Sequence, residues 1–108
     1  MAEYQEIVLV TGANTGIGFE IARKLLEDYD NQFYVLLGCR NNLKGAVAAQ
    51  TLHDSGLSSC EMVEIDNNNP ELIDHSAKVV EEKFGRLDVL ILNVSPSIDR
   101  SVKLSTQL

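Results

Sequence analysis

Apolar and polar positions along the chain form two alternating patterns, short runs rich in apolar residues and longer segments with apolar residues at helical spacing. The short runs lie at residues 7–10, 33–38, 60–65 and 87–93, and the last two include acidic residues. The continuous apolar run at residues 33–38 is typical of a strand buried on both faces, and we predict four strands in all. The segment after residue 10 has its apolar residues at helical spacing: Ile21, Ala22, Leu25, Leu26 and Tyr29. It predicts a helix that opens near Gly16.

Two further helices are predicted in the segments after the second and third runs. One covers residues 41–53. The other begins with a capping asparagine, Asn69, and a proline at the first helical position, Pro70, and it ends before Gly85. The apolar residues of this third helix fall on one face and are Ile73, Ala77, Val80 and Phe84.

The resulting βαβαβαβ pattern predicts an α/β fold. Right-handed crossovers then give a parallel sheet in strand order 3-2-1-4, a partial Rossmann-like, doubly wound sheet. We assign residues 1–95 to one domain and residues 96–108, which have no periodicity, to a loose tail. Only the third helix covers one sheet face, so we expect that face to be partly bare and the fourth strand to be an edge. Both features favour association.

Three glycines follow the first predicted strand, and they indicate a phosphate site. Residues 11–18 read T-G-A-N-T-G-I-G. Gly12 permits a tight turn, Gly16 lets backbone approach a ligand closely, and Gly18 lets the helix pack against the strand. The unpaired N–H groups of the helix start would face an anion. A surface loop is the alternative, and the flanking strand and helix patterns weigh against it.

Composition and charge narrow the classes of partner. The 108 residues carry a formal net charge of -7 and no basic stripe, which argues against nucleic acid and anionic membranes as partners. The acidic N-terminal segment contains neither a secretory signal nor a membrane span, so we expect a soluble cytoplasmic protein. Cys39 and Cys60 are predicted at opposite ends of neighbouring strands, about 16 Å apart, as free thiols and buried hydrophobes rather than a redox pair.

The chain resembles the N-terminal half of a short-chain dehydrogenase/reductase over residues 6–93. T-G-x-x-x-G-I-G at residues 11–18 corresponds to that family's cofactor motif, and E-K-F-G-R-L-D-V-L at residues 82–90 is similar to the run before its fourth strand. The resemblance implies carbonyl reduction or alcohol oxidation with a nicotinamide dinucleotide. It also implies that Asn14, Thr15 and Ile17 line the pyrophosphate and nicotinamide side of the site.

The end of the second strand bears on cofactor choice. NAD-binding dinucleotide folds place an acid there, whereas this chain has Gly38, Cys39 and Arg40. Arg40 therefore favours NADP over NAD, by about tenfold to 150-fold for one charge-assisted contact. The alternative is a solvated arginine at a helix start. Some NADP-using members carry a second basic residue at the position of Thr15, whereas threonine is uncharged. The preference for NADP over NAD is therefore expected to be shallow.

Three more cofactor positions follow from the resemblance. Asp66, with the backbone of Asn67, matches the acid that contacts the adenine, although a strand-end turn is an equal alternative. Asn93 matches the second asparagine of the family's Asn-Asn-Ala-Gly segment. The sequence departs from that segment with Leu92, Val94 and Ser95. Val94 and Ser95 are bulkier than the family's residues and would crowd the cofactor ribose.

The family's catalytic residues, a tyrosine, a lysine four residues later and a serine, find no match in the chain. Four residues after the three tyrosines, Tyr4, Tyr29 and Tyr34, lie Val8, Phe33 and Gly38. We therefore assign no catalytic residue. We also assign no metal site, because His53 and His75 are interpreted as surface histidines without a ligand partner.

Three hypotheses remain from the sequence. The first is an NADP(H)-dependent member of the family, truncated before its Tyr-x-x-x-Lys and inactive alone. The second is a non-catalytic nucleotide-binding or partner-binding module that uses its bare sheet face. The third is an unstable product without function. A Tyr-x-x-x-Lys shortly downstream in the reading frame would favour the first.

Overall fold

A computed structural model of the chain describes residues 5–13, 16–29, 32–65 and 70–92, and for residues 70–73 only the backbone. Strands and helices alternate along these ranges. They are β1 (Glu6–Thr11), α1 (Gly16–Asp28), β2 (Phe33–Cys39), α2 (Asn42–Asp54), β3 (Cys60–Glu64), α3 (Pro70–Phe84) and β4 (Val89–Ile91).

The four described strands form one parallel sheet in the order β3-β2-β1-β4, which confirms the predicted topology. Most boundaries lie within one residue of the predicted ones. The exception is β4, which pairs with β1 over three residues only, from Val8↔Val89 to Val10↔Ile91. The prediction of residues 87–93 was too long, because Leu87 and Asp88 approach β1 ahead of the ladder. Asn69 and the tail at residues 96–108 lie outside the described residues.

Side chains of the sheet fill two separate cores. On one face the strands pack under α1 and α2, with Ala22 and Leu26 from α1 and Ala48 and Leu52 from α2. On the other face, Val80 of α3 packs with side chains from the sheet. The buried strand residues of that second face are Ile7, Leu9, Leu36 and Leu90. The helices therefore lie on the two faces as predicted.

The face under α3 is closed at its centre, although we expected it to be partly bare. Leu9 and Leu36 have no exposed surface, because the crossover from β3 to β4 carries α3 over the two central strands. Among the described residues of this face, some nearer the rim, such as Tyr34 and Val63, are half-buried. On the opposite face, Val89 and Ile91 of β4 are also half-buried, so exposure is not confined to the predicted side.

Polar contacts join the starts of the strands at the amino end of the sheet. The carboxylate of Asp88 accepts a hydrogen bond from the backbone N–H of Ile7 and another from Arg86 Nε. Arg86 also donates to the backbone oxygen of Gln5, and the side-chain amide of Gln5 donates to Ser59 Oγ. These contacts attach the short β4 to β1 and tie β1 to the segment that begins β3.

The two cysteines are free and buried, as predicted. The β2–β3 register pairs Val35 with Cys60 and Cys39 with Glu64, so the thiols lie at opposite ends of the strand pair. Burial raises the pKa of Cys39, and burial together with the nearby charge of Glu61 raises the pKa of Cys60 to about 11. Both groups are therefore protonated, poorly nucleophilic thiols at neutral pH.

Candidate functional site

The carboxyl ends of the parallel strands meet at one edge of the sheet, and the glycine turn lies on this edge. Thr11, the last residue of β1, pairs with Gly38 of β2. The backbone N–H of Ala13 then donates to the carbonyl of Gly38 at 3.1 Å. Because Ala13 is fully buried, this bond fixes the turn against the end of β2.

Two glycines of the turn adopt a conformation that other residues rarely adopt. Gly12 has φ 61° and Gly16 has φ 63°. A Cβ placed on Gly16 would meet no heavy atom within 4 Å, so open space lies beside this backbone. Since α1 begins here, its first N–H groups lack helical acceptors and are available to an anion. The sequence predicted that Gly16 allows a ligand to approach the backbone closely. The structure adds a second reason for glycine at this position, its positive φ.

The two other predicted residues on α1 differ in exposure. Gly18 is buried, on the side of the helix that contains Ala22 and Leu26. Ile17 is 58% exposed, so its side chain contributes little to the core. The roles assigned to these residues toward a cofactor remain predictions.

Arg40 follows β2 directly and is exposed at the same edge. Within the described part of the chain it takes part in no hydrogen bond or ion pair. It precedes Asn41, whose side-chain oxygen accepts a hydrogen bond from the Lys44 N–H at 3.0 Å and so caps α2. The helix therefore begins one residue later than predicted, with Asn41 as its cap.

A cavity of about 560 Å³ opens between α1 and α2 and reaches the glycine turn. Gly16 and Lys44 both line it, and the remaining lining residues are Phe19, Leu43, Val47, Ala48 and Thr51. The sequence interpretation did not single out Lys44. Its one signal was a second cation four residues after Arg40, and only the fold places that cation beside the glycine turn.

For the remaining predicted positions, the structure describes neighbouring residues in the chain but not the predicted residues themselves. Asn14, Thr15, Asp66, Asn67 and Asn93 all lie outside the described residues. The backbone N–H of Ile65 donates to the carbonyl of Cys39 at 2.9 Å, so the chain that leads to residue 66 passes the end of β2. Likewise Ile91, two residues before position 93, pairs with Val10 near the glycine turn.

The described tyrosines have partners that suit a structural role. Tyr29 packs edge-on against Phe33, with ring centroids 5.4 Å apart. Tyr34 donates its hydroxyl hydrogen to Glu61 at 2.9 Å, and burial, followed by this contact, raises its pKa to about 12. Neither tyrosine contacts a lysine through a described hydrogen bond.

Histidines and acids in the described ranges form no group of three that could hold a metal ion. His53 Nε2 lies 3.0 Å from the carbonyl oxygen of Cys60, and His75 is exposed on α3. Both are exposed, as the sequence interpretation expected. None of the described helices has the length and apolar content that crossing a membrane requires.

Comparison with known proteins places this geometry in a family. The family model described as short chain dehydrogenase matches residues 6–107. Short-chain dehydrogenase/reductase ATR10 of Stachybotrys chlorohalonatus is 46% identical over 89 residues, which cover 82% of this chain and 32% of that protein. The chain thus spans about a third of the length of the curated relatives it matches.

Solved structures agree with the sequence relatives. Salutaridine reductase from Papaver somniferum superposes with a TM-score of 0.69 at 32% identity, covering 84% of this chain and 30% of that one. A variant of actinorhodin polyketide ketoreductase with NADPH has a TM-score of 0.70 at 30% identity, covering 88% and 35%. The glycine turn, the strand order and these matches agree, and the chain belongs to the short-chain dehydrogenase family, whose members bind a nicotinamide dinucleotide.

Proposed function

We propose that this chain forms the cofactor-binding part of an NADP(H)-dependent reductase that interconverts a carbonyl and an alcohol. The observation that carries the proposal is Arg40, an exposed cation without a described partner at the carboxyl end of β2. The strand that ends beside it is bonded to the glycine turn through Gly38 and Ala13. A cofactor with one anion on the turn and another near Arg40 suits this arrangement.

The described residues fit such a cofactor. The backbone of Gly12 and Gly16 would hold the pyrophosphate against the start of α1, where open space lies beside Gly16. Arg40 would hold the 2′-phosphate, for which a guanidinium is a suitable partner. When bound, the nicotinamide supplies the hydride. We extend the proposal to Asp66 and Asn67 as contacts of the adenine.

Four further positions belong to the same proposal by resemblance. Asn14 and Thr15 would line the pyrophosphate together with Ile17, and Asn93 would lie beside the cofactor ribose. The names of the similar proteins support the reaction class, since two solved relatives are a salutaridine reductase and a polyketide ketoreductase with NADPH. The 108 residues contain no Tyr-x-x-x-Lys, so we expect them alone to bind cofactor without hydride transfer.

Ligand-dependent thermal unfolding of the 108-residue chain tests the proposal. NADP⁺ at about 100 times its dissociation constant should add roughly 2.7 kcal/mol and raise the unfolding midpoint by several degrees. NAD⁺ at the same concentration should raise it less. Arg40→Gln should remove this difference, whereas Lys78→Gln, which removes an exposed cation from α3 on the opposite face, should preserve it. A chain whose midpoint responds to neither nucleotide, or equally to both, would refute the proposal.

A second candidate, a partner-binding module, is favoured by an apolar stripe formed by α1 and Tyr29, the residue that follows it. Ile17, Ile21, Leu25 and Tyr29 recur every fourth residue and line a hollow of about 630 Å³. Ile17 and Tyr29 are 58% and 48% exposed. Ile21→Gln should weaken association without changing the affinity for NADP⁺, as measured by sedimentation and titration. A chain that is monomeric at all concentrations and captures no partner would remove this candidate.

We also propose a cytoplasmic location. The two buried, unpaired thiols support a reducing compartment, in which disulfides are rare. Fluorescence microscopy of the tagged protein tests this location, and a signal confined to a secretory organelle would contradict it.

A further inference from the structure

Two large apolar side chains of α2 stand in solvent beside the cavity between α1 and α2. Leu43 is 80% exposed and Val47 is 66% exposed. They are four residues apart on the helix, so they lie on the same side of it. Both also line the cavity of about 560 Å³. Covering such side chains removes apolar surface from water, which favours a ligand that brings an apolar part of its own.

The walls of this cavity suit an alkyl chain. The half-buried ring of Phe19 lies on the α1 side, and Ala48 of α2 is buried at the base. The Thr51 hydroxyl donates to the carbonyl of Val47 at 2.8 Å, so its hydrogen is already used within the helix. The volume lies within the range of about 300–1,000 Å³ that small-molecule sites occupy.

Lys44 gives the cavity a charge. Among the described residues that line it, Lys44 is the only charged one. Within the described part of the chain, no acid forms an ion pair with the Lys44 ammonium group. The net charge of the chain is -7, so an uncompensated cation beside apolar walls is unusual for this surface. A ligand that is complementary to the cavity therefore combines an apolar chain with an anionic group.

The hollow along α1 has similar apolar walls but the opposite charge balance. Glu20, Lys24 and Asp28 line it, which places two acids against one lysine. Lys24 Nζ lies 3.3 Å from Asp28, so its charge is compensated within the helix. An anionic ligand thus gains no charge contact there. The comparison selects the cavity beside Lys44 for an anion with an apolar chain.

We propose that the cavity between α1 and α2 binds a free medium-chain fatty carboxylate. The carboxylate contacts the Lys44 ammonium group, and the alkyl chain lies along Val47 toward Thr51. The seven residues from Lys44 to Thr51 span about 10 Å of helix, which matches an extended chain of about eight to ten carbons. These contacts require no nucleotide, so the inference is independent of the proposed function.

Titration of the full 108-residue chain with octanoate, decanoate and dodecanoate, as monomers and without nucleotide, tests the proposal. Each added methylene from octanoate to decanoate should tighten binding about twofold to fourfold, because the chain enters the cavity. Dodecanoate should gain little more, since its end extends past Thr51. Amide shifts in ¹⁵N spectra should concentrate at residues 43–51 and Phe19.

Variants separate the charge contact from the apolar one. Lys44→Gln should weaken octanoate about threefold to fivefold and leave the neutral 1-octanol within about twofold. Val47→Gln should weaken both ligands alike. The matched controls lie on α3, on the other face of the sheet, and are Lys78→Gln for the charge and Val79→Gln for an exposed apolar side chain. Neither control should change the affinity for either ligand, and circular dichroism confirms that each variant folds.

Several results would overturn the proposal. An unaltered chain that binds none of the three carboxylates at millimolar concentration has no such site. Equal loss of octanoate and 1-octanol in Lys44→Gln would remove the carboxylate from Lys44. Shifts centred on Leu25 and Tyr29 would place the ligand in the hollow along α1 instead. Self-association that Val47→Gln abolishes, in a chain that binds no carboxylate, would make a second copy the occupant of the cavity.

Discussion

The Asp88 carboxylate accepts a hydrogen bond from the backbone N–H of Ile7 at 2.7 Å. The two residues also share a backbone contact, since the Asp88 N–H donates to the carbonyl of Ile7 at 3.0 Å. Asp88 thus extends the attachment of β4 to β1 beyond the three residues of the ladder. The Asp88 side chain thus supplies a contact between the two chain segments where the strand ladder is absent.

Replacing Asp88 should therefore destabilise the fold. In Asp88→Ala the Ile7 N–H and the Arg86 guanidinium lose a charged acceptor, and hydrogen bonds to charged groups contribute about 1.5–3 kcal/mol. We expect a decrease of about 2 kcal/mol in the free energy of unfolding, measured with urea. Asp74→Ala, at an exposed position on α3, should change it by less than about 0.5 kcal/mol. Equal effects of the two variants would contradict this role of Asp88.

Gly45→Ala should destabilise the chain although alanine favours helices. A Cβ on Gly45 would lie 2.4 Å from Met62 Cγ and 3.2 Å from Cys39 Cβ. Such overpacking costs about 1–3 kcal/mol, against roughly 0.5–1 kcal/mol gained from helix propensity. We expect a net loss of about 1 kcal/mol in urea unfolding. In a Met62→Ala background the same substitution should cost nothing, and an unchanged cost there would assign the effect to something other than Met62.

Gly16→Ala should affect both stability and cofactor binding. Its φ of 63° is strained for alanine, at a cost of about 1–2 kcal/mol, and the new methyl group enters the open space beside the turn. Gly56→Ala is a matched control, because Gly56 has φ 87° and equally open surroundings on the loop after α2. Both variants should unfold more easily, but only Gly16→Ala should weaken NADP⁺ binding in titrations. A similar loss of affinity in both would mean that strain alone explains the effect.

Alkaline pH should destabilise the fold through its buried acids. The pKa of Cys60 rises from 9.0 to about 11 on burial, so the fold favours the protonated thiol. This contribution is complete below pH 9 and is lost as the pH rises through about 11. The Tyr34 hydroxyl, with its pKa raised from 10.0 to about 12, acts in the same direction at higher pH.

The unfolding temperature should therefore decrease as the pH is raised from 9 to about 11. These limits are the ordinary pKa of the Cys60 thiol and its raised pKa in the fold. In Cys60→Ala the unfolding temperature should decrease less over this pH interval, whatever the variant's stability at neutral pH. Slopes that are identical with and without the Cys60 thiol would show that its ionisation does not control the transition.

The sequence was sufficient for the topology, because the alternation of apolar runs and helical segments leaves few parallel arrangements. It was less reliable for β4, whose apolar residues extend beyond the three that find a partner on β1. The apolar pattern records burial, and Leu90 is buried, but pairing depends on where the neighbouring backbone lies. The expectation of a partly bare face under α3 named no residues, and the structure shows burial at Leu9 and Leu36 in its centre.

The candidate site was predictable in part. Arg40 and the glycines follow from local spacing, and the structure places Gly16 and Arg40 at one edge of the sheet. Lys44 was not predictable, since a lysine on an amphipathic helix has no distinctive local signal. Its significance depends on the packing of α2 beside α1, which brings it to the cavity that Gly16 lines.

The hydrogen bond from Ala13 to Gly38 makes the proposed nucleotide site a property of two strands rather than one. The turn is held in place only while β1 and β2 are paired, so any opening that separates these strands also removes the Ala13 amide from its acceptor. Hydrogen exchange at this single amide therefore reports whether the site exists at a given moment. The protection of this amide in the unliganded chain measures how much of the population lacks the site, and a ligand that binds only the formed site must slow the exchange further, by an extent set by its concentration and dissociation constant.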